Sequence, residues 1–233
     1  MALIKFGGGI IEMRGSIAGN VFSRNRYGAY SRARTKPINR NTPLQDAIRA
    51  IVSVVSRAWF ETASQDQRDA WGVFAANVPA KNKLGEVIYL SGFNQYVKSN
   101  VTSISAGLPA IQAAPTTFTL PGEDTKFSIT IASSVQALVV AFDDTRDWCS
   151  EDQAALIVQM GIPQNDSIEF FNGPWRYAGK SAGSSGNGPS TPEGLPVPYF
   201  VANDQKIWAR GKILRADGRL SDWFQGIGIV VET

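Results

Sequence analysis

"KIWARGKILRADGRLSDWFQGIGIVV", residues 206–231, reads as two strands about a turn. Apolar and polar residues alternate through KIWARGKILRA and FQGIGIVV, the period of a strand with one face buried, and Asp217-Gly218 between them is turn chemistry. The same period of two recurs upstream in KFSITIA (126–132), VQALVVAFD (135–143), AALIVQMG (154–161), SIEFF (167–171) and VPYFVA (197–202). Seven short strands at such spacing predict an antiparallel β-sandwich over residues 125–233, with the Gly- and Pro-rich stretch 179–196 as a long loop inside it. Trp175 and Tyr177 flank a turn in FFNGPWRYAGK; packing on the sandwich is the plain reading, contact with a carbohydrate or a protein the sharper one.

Before residue 106 the period is 3.6. Thr42-Pro43 reads as an N-cap followed by proline at the first helical position, and Leu44, Ala47, Ile48, Ile51, Val52, Val55 and Trp59 then form one apolar stripe on a helix of about five turns. Ser64 and Gln67 have capping-box spacing for a second helix carrying Ala70, Trp71, Phe74, Ala75 and Val78. VIYL is expected to be a short strand, and Ser91 caps a third helix with Phe93, Tyr96, Val97 and Val101. Residues 106–124, with three prolines and no period, read as a semi-extended interdomain linker. The expected fold is therefore α+β and multidomain: an arm over 1–41, a small helical domain over 42–105, the linker, and the sandwich.

The arm holds most of the positive charge. Residues 1–57 carry ten Lys or Arg against Glu12 and Asp46, a net +8, while the remainder carries a net −5, which gives the chain its +3. Within residues 14–40, Arg14, Arg24, Arg26, Arg32, Arg34, Lys36 and Arg40 stand without a single acid, and Phe22, Tyr27 and Tyr30 are set among them. NVFSR (20–24) and GAYSRAR (28–34) about Asn25-Arg26-Tyr27-Gly28 predict a β-hairpin after a flexible Gly7–Gly9 lead-in. Phe22 with Arg24 would share one face of its strand, and Tyr30 with Arg32 one face of the other. A hairpin of this size is marginal alone and must dock on something. Phosphate with base stacking, an acidic protein neighbour, and a solvated basic face all fit these letters. A protein neighbour is the leading reading.

Several classes of chemistry are excluded or weakened. The chain has no histidine, so Ser-His-Asp and Cys-His machinery is impossible. One cysteine, Cys149, makes no internal disulfide and no metal cluster. The acids of DDTRDWCSED (143–152) lack the ordered spacing of a calcium loop, and Gly7–Gly9 is followed by no Gly-Lys-Ser/Thr. No cofactor or metal is expected, and no enzymatic activity beyond a weak carboxylate or Lys206/Lys212 possibility. No run of about eighteen apolar residues and no signal-peptide pattern is present, so the expectation is a soluble protein without membrane contact.

Two resemblances add to this. Residues 206–231, with the Asp217-Gly218 turn followed by Ser221 and Trp223, look like the last two strands of a fibronectin type III or similar immunoglobulin-like module. The resemblance implies that fold, and a binding or spacer role rather than catalysis. GSIAGNVFSRN (15–25), RAR (32–34), NRNTPLQ (39–45) and LSGFNQYVKSN (90–100) resemble, in order, the G-S-I-G-G-x-x-F-x-R-N, R-x-R, N-P-x-T-P-x-Q and L-x-G-F-N-x-F-V-x-x-N motifs of a recurrent group of phage and prophage proteins; Ala18 stands where that group has glycine. This resemblance implies a non-enzymatic virion structural protein, made in the host bacterial cytoplasm and oligomeric: a head decoration, cement or neck component anchored by its arm to capsid, portal or tail subunits. A tail or fibre adaptor and a nucleic-acid-binding protein are the alternatives.

Overall fold

The computed structural model describes residues 2–36, 38–39, 41–82, 84–132 and 136–230. The chain is mixed α+β, with three α-helices and several antiparallel sheets. Four short strands, β1 (Ala2–Ile4), β2 (Gly15–Ile17), β3 (Asn20–Asn25) and β4 (Gly28–Ala33), pair in the order β1-β4-β3-β2. The predicted hairpin is the centre of this sheet. The apolar run at 2–4 and the Gly15–Ile17 segment, too short to read as strands, widen it on both sides.

Helix α1 (Pro43–Glu61) begins as its sequence dictates: Thr42 is the cap, its side chain accepts from Gln45 N, and Pro43 occupies the first turn. Helix α2 (Gln65–Asn77) opens with the Ser64–Gln67 capping box, both reciprocal bonds being present. Strands β5 (Pro79–Lys81) and β6 (Val87–Tyr89) form a small hairpin, and Ser91 then caps α3 (Gly92–Ser105) by accepting from Asn94 N at 3.2 Å. The three helices enclose an aromatic core in which Trp71 meets Phe74 and Tyr96 edge-on, at 5.9 and 5.6 Å between ring centres. Helices α2 and α3 meet closely at two glycines. A Cβ on Gly92 would stand 2.8 Å from the backbone nitrogen of Gly72, a contact only glycine permits.

Only part of the α1 stripe is used in this core. Val55 and Trp59 are buried, but Leu44, Ile48 and Val52 stay exposed, at 67%, 44% and 37%. The first half of α1 lies at the margin of the bundle, where Leu44, Ile48 and Ile51 border a cleft shared with the end of α3.

The C-terminal part contains β7 (Ser128–Ala132), β8 (Ala137–Ala141), β9 (Ala155–Gly161), β10 (Gln164–Asn165), β11 (Trp175–Ala182), β12 (Glu193–Pro196), β13 (Gln205–Leu214) and β14 (Phe224–Val230). One sheet runs β12-β8-β7; the other runs β11-β9-β13-β14, with β10 continuing the β9 edge of β13. Both contribute to one core, with Ile129, Leu138 and Val140 from the first and Leu156, Met160, Ile207 and Ile213 from the second. This is compatible with a β-sandwich. Two segments with strand-like composition are irregular instead. SIEFF is a loop whose Phe171 packs on Trp175 and Trp208, and VPYFVA is a loop holding Tyr199 and Phe200. Conversely β11 runs into the Gly- and Pro-rich stretch read as a loop and β12 lies wholly within it; here the pairing of Gly179–Ala182 with Ala155–Val158 overrides low strand propensity.

Residues 106–124 contain no helix or strand, and several of their backbone groups bond to side chains of the helices. Asn100 donates to the carbonyl of Ile111 (3.0 Å) and accepts from its N–H (2.7 Å); Ser103 donates to Pro109 O (2.6 Å). Trp71 Nε1 donates to Gln112 O at 3.1 Å. Ser99, also fully buried, donates to Gly218 O at 2.8 Å in the β13–β14 turn, so the helices and the β-rich part are joined directly. The acidic DDTRDWCSED region is likewise built in. Arg215 grips Glu151 with two nitrogens and reaches Asp147, while Asp143, bonded to Thr145 and Lys126, has its pKa lowered to about 2. Cys149 is buried beneath, and that burial pushes its thiol up to about 11. Among the described residues no group of three or more potential ligands could hold a metal ion, and no helix is long and apolar enough to cross a membrane.

Two outcomes follow from this packing. Asn100→Ala removes both partners of the Ile111 peptide in a buried setting and is expected to cost about 2 kcal/mol or more, read as a lower denaturant midpoint at unchanged slope. Cys149 is expected to ignore a thiol reagent in buffer and to react stoichiometrically once denaturant unfolds the chain.

Candidate partner-binding surface

The four-stranded sheet places most of the arm residues on one small unit. In register, Phe22 lies opposite Gly15 and Ser31, and Arg24 opposite Ala29; Val21 lies opposite Arg32, and Ser23 opposite Tyr30. Phe22 and Arg24 therefore share one face, Tyr30 and Arg32 the other. The two aromatics do not form a single packing face. Each is half-buried at best, flanked by its own arginine.

The turn between β3 and β4 consists of Arg26 and Tyr27, between the paired Asn25 and Gly28. Asn25 Oδ1 accepts from Tyr27 N at 2.9 Å, which fixes the bend, and Gly28 takes φ 124°, which a side chain would resist. Arg26 lies over the Tyr27 ring, 5.3 Å from its centre. Tyr27 is the arm's link to the body, for its hydroxyl accepts from Asn94 Nδ2 at 3.1 Å, at the start of α3. A second link, absent from the sequence reading, is the ion pair between Lys5 and Glu86; both groups are largely exposed, so it adds little. Its lysine side could have been suspected from the short apolar run Ala2–Ile4, which delivers Lys5 to the end of β1.

Arg14 precedes β2 and pairs with Glu12 at 2.7 Å, so it is not a free cation. Arg34 and Lys36 follow β4 on an exposed strand end, where the Arg34 N–H donates to Gly19 O at 2.8 Å. Arg40 lies outside the described residues. Arg24, Arg26, Arg32, Arg34 and Lys36 form no ion pair among the described residues.

The surface is defined by what it lacks in its own chain. No residue described between 2 and 36 is buried, although Ile11, Ile17 and Ile10 are 92%, 57% and 47% exposed. Both edge strands are open, and β2 is exposed along its whole length. Such edges offer unpaired N–H and C=O groups to an incoming chain.

The chain matches no family model, no curated protein and no solved structure. The arm must be read from its own chemistry: five unpaired cations, two aromatic–arginine faces, and an open sheet edge at each side.

The turn between β2 and β3 gives one local test. Ile17 pairs with Asn20, and Ala18 between them sits at φ 49°, in the left-handed region that costs an alanine about 1 kcal/mol. Ala18→Gly is expected to recover roughly 0.5 kcal/mol after its own entropy cost, seen as slower amide exchange in β2 and β3.

Proposed function

We propose that this chain is a non-enzymatic structural protein of a phage virion, anchored in the particle by its basic N-terminal sheet. One observation carries the anchoring role: a four-stranded sheet with no buried residue cannot supply its own stability and gains it only from a surface brought by another molecule. Five unpaired cations favour an acidic protein surface. The phage assignment is supported by the order of GSIAGNVFSRN, RAR, NRNTPLQ and LSGFNQYVKSN along residues 15–100. A head-associated decoration, cement or neck position is the reading, with many copies sharing arm contacts.

The β-rich part is read as a fibronectin type III-like module. In support, β7-β8-β12 against β14-β13-β9-β11 is the A-B-E and G-F-C-C′ order of that fold, and the last hairpin closes as the resemblance expects. Gly218 takes φ 94° in the turn, and Ser221 Oγ accepts from Ile213 N at 2.9 Å. Such a module serves as a displayed or interposed spacer.

Deleting residues 1–41 is expected to abolish incorporation into particles while the remaining chain still folds by circular dichroism; normal incorporation would refute the anchoring role. Titrating the full chain against single-stranded DNA at rising salt is expected to show no steep dependence. A slope equivalent to several released ions would move the arm to the nucleic-acid reading.

A further inference from the structure

The sheet β11-β9-β13-β14 has a second side, facing away from its core, and its composition is unusual. The register sets Tyr177, Gln159 and Arg210 in one row and Lys180, Ile157 and Lys212 in the next. The Arg210 guanidinium lies 4.7 Å from the centre of the Trp175 ring and 4.2 Å from that of Trp223, and Lys212 Nζ lies 4.5 Å from Trp223. Gln159 Oε1 accepts from Arg210 Nε at 2.9 Å and from Nη2 at 2.7 Å, fixing the guanidinium in place. Neither Arg210 nor Lys212 forms an ion pair among the described residues.

These cations are held at a cost. Burial, reinforced by the charges of Lys98 on α3 and Arg210 on β13 and opposed only by Asp222, pulls the Lys212 pKa down to about 8. The third cation of the face, Lys180, is engaged with the Gly107 carbonyl at 3.1 Å. An unpaired, partly desolvated cation is stabilised by any carboxylate delivered to it.

Trp223 and Tyr177 also border a cleft of about 430 Å³ between this face and the helices, walled by Leu44, Ile48 and Ile51 of α1 and Val101 of α3. This is where the unused half of the α1 stripe lies. Most of its apolar lining is aliphatic, from Leu44, Ile48, Ile51, Val101, Ile104 and Ile157, which suits apolar side chains better than nucleic-acid bases, and Trp223, one of its two aromatic walls, already carries Arg210 and Lys212.

We propose that this cleft, with the cations held beside its Trp223 and Gln159 walls, binds an acidic, amphipathic segment of a partner protein, with apolar side chains against Leu44, Ile48, Ile51 and Tyr177 and carboxylates on Arg210 and Lys212. The surface is made of residues outside 1–41, so it stands whether or not the arm anchors the chain.

The test uses the full chain and a short synthetic peptide alternating Leu and Glu, followed by tryptophan fluorescence and calorimetry. Saturable binding is expected that weakens with salt and as pH rises through about 8, where Lys212 loses its proton. Lys212→Gln and, separately, Ile48→Glu are each expected to weaken it about tenfold or more, equivalent to roughly 1.4 kcal/mol. Ile48 is exposed, so its variant keeps the fold and the comparison holds even if Lys212→Gln perturbs packing. A peptide alternating Leu and Lys is expected not to bind, and one alternating Ser and Glu to bind weakly. The triple variant Arg24→Gln/Arg32→Gln/Arg34→Gln is expected to bind as the parent does. Absence of saturable binding, equal binding by Lys212→Gln and Ile48→Glu, loss only in the arm variant, or displacement of the peptide by oligothymidylate at lower concentration would each overturn the proposal.

Discussion

The fold depends on one row of buried polar side chains along α3. Ser99, Asn100 and Ser103 are all essentially inaccessible, and every one of them bonds to backbone outside its own helix. Residues 106–124 have no ladder to satisfy their peptide groups, and a buried peptide group without a partner costs about as much as a lost hydrogen bond. Trp71, Lys180, Arg146 and Arg219 serve Gln112, Gly107, Gly122, Glu123 and Thr119, and the side chains of α3 supply partners for Pro109 and Ile111. With Gly218 included, the same row reaches the β13–β14 turn, and Ala106, Ile157, Leu214 and Leu220 complete a small apolar seam beside it. The position of the helices on the outer sheet face follows from these few bonds, and so does the cleft between them.

The two ends of the chain handle charge in opposite ways. In the β-rich part, cations are mostly committed: Arg215 to Glu151 and Asp147, Arg219 to Asp217, and Lys206 to Glu169. Arg210, Lys212 and Arg176 are held over aromatic rings rather than over acids. In the arm, by contrast, Arg24, Arg26, Arg32, Arg34 and Lys36 are uncommitted among the described residues because the sheet that carries them has almost no body behind it. Cation–π contact at an exposed site contributes only about 0.5–1 kcal/mol, so the Arg26–Tyr27 stack cannot replace a core. Among the described residues, the polar contacts that tie the arm to its own chain are few: the Tyr27 hydroxyl on Asn94, the exposed Lys5–Glu86 ion pair and Asn39 accepting from Arg49.

The aromatic residues fall into the same two groups. Trp71, Phe74, Tyr96 and Trp148 are fully enclosed and serve as core. Tyr177 on β11, Phe170 in the loop before it and Phe200 in the loop between β12 and β13 remain exposed at 45%, 77% and 79%. Trp223 is intermediate, with one side of its ring given to Arg210 and Lys212 and its edge to the cleft.

Local chemistry was legible in the letters. Thr42-Pro43, the Ser64–Gln67 box and Ser91 each start the helix they announce, because a cap is a bond between residues three apart and needs no tertiary partner. The Asn25–Gly28 hairpin and the Asp217-Gly218 turn are local for the same reason, and the alternation in KFSITIA and KIWARGKILRA reports a face that must be covered. Amphipathicity does not say by what. Leu44 and Val55 obey one helical period, yet only Val55 meets the bundle, since the stripe records the helix and the neighbours decide burial. SIEFF had strand composition and became a loop, while glycine-rich Gly179–Ala182 became a strand, because pairing with β9 was available to the second and not to the first. The row Arg210, Gln159, Tyr177 comes from three strands, with 18 positions from Gln159 to Tyr177 and 33 from Tyr177 to Arg210, and no spacing along the chain could bring it together before the sheet did.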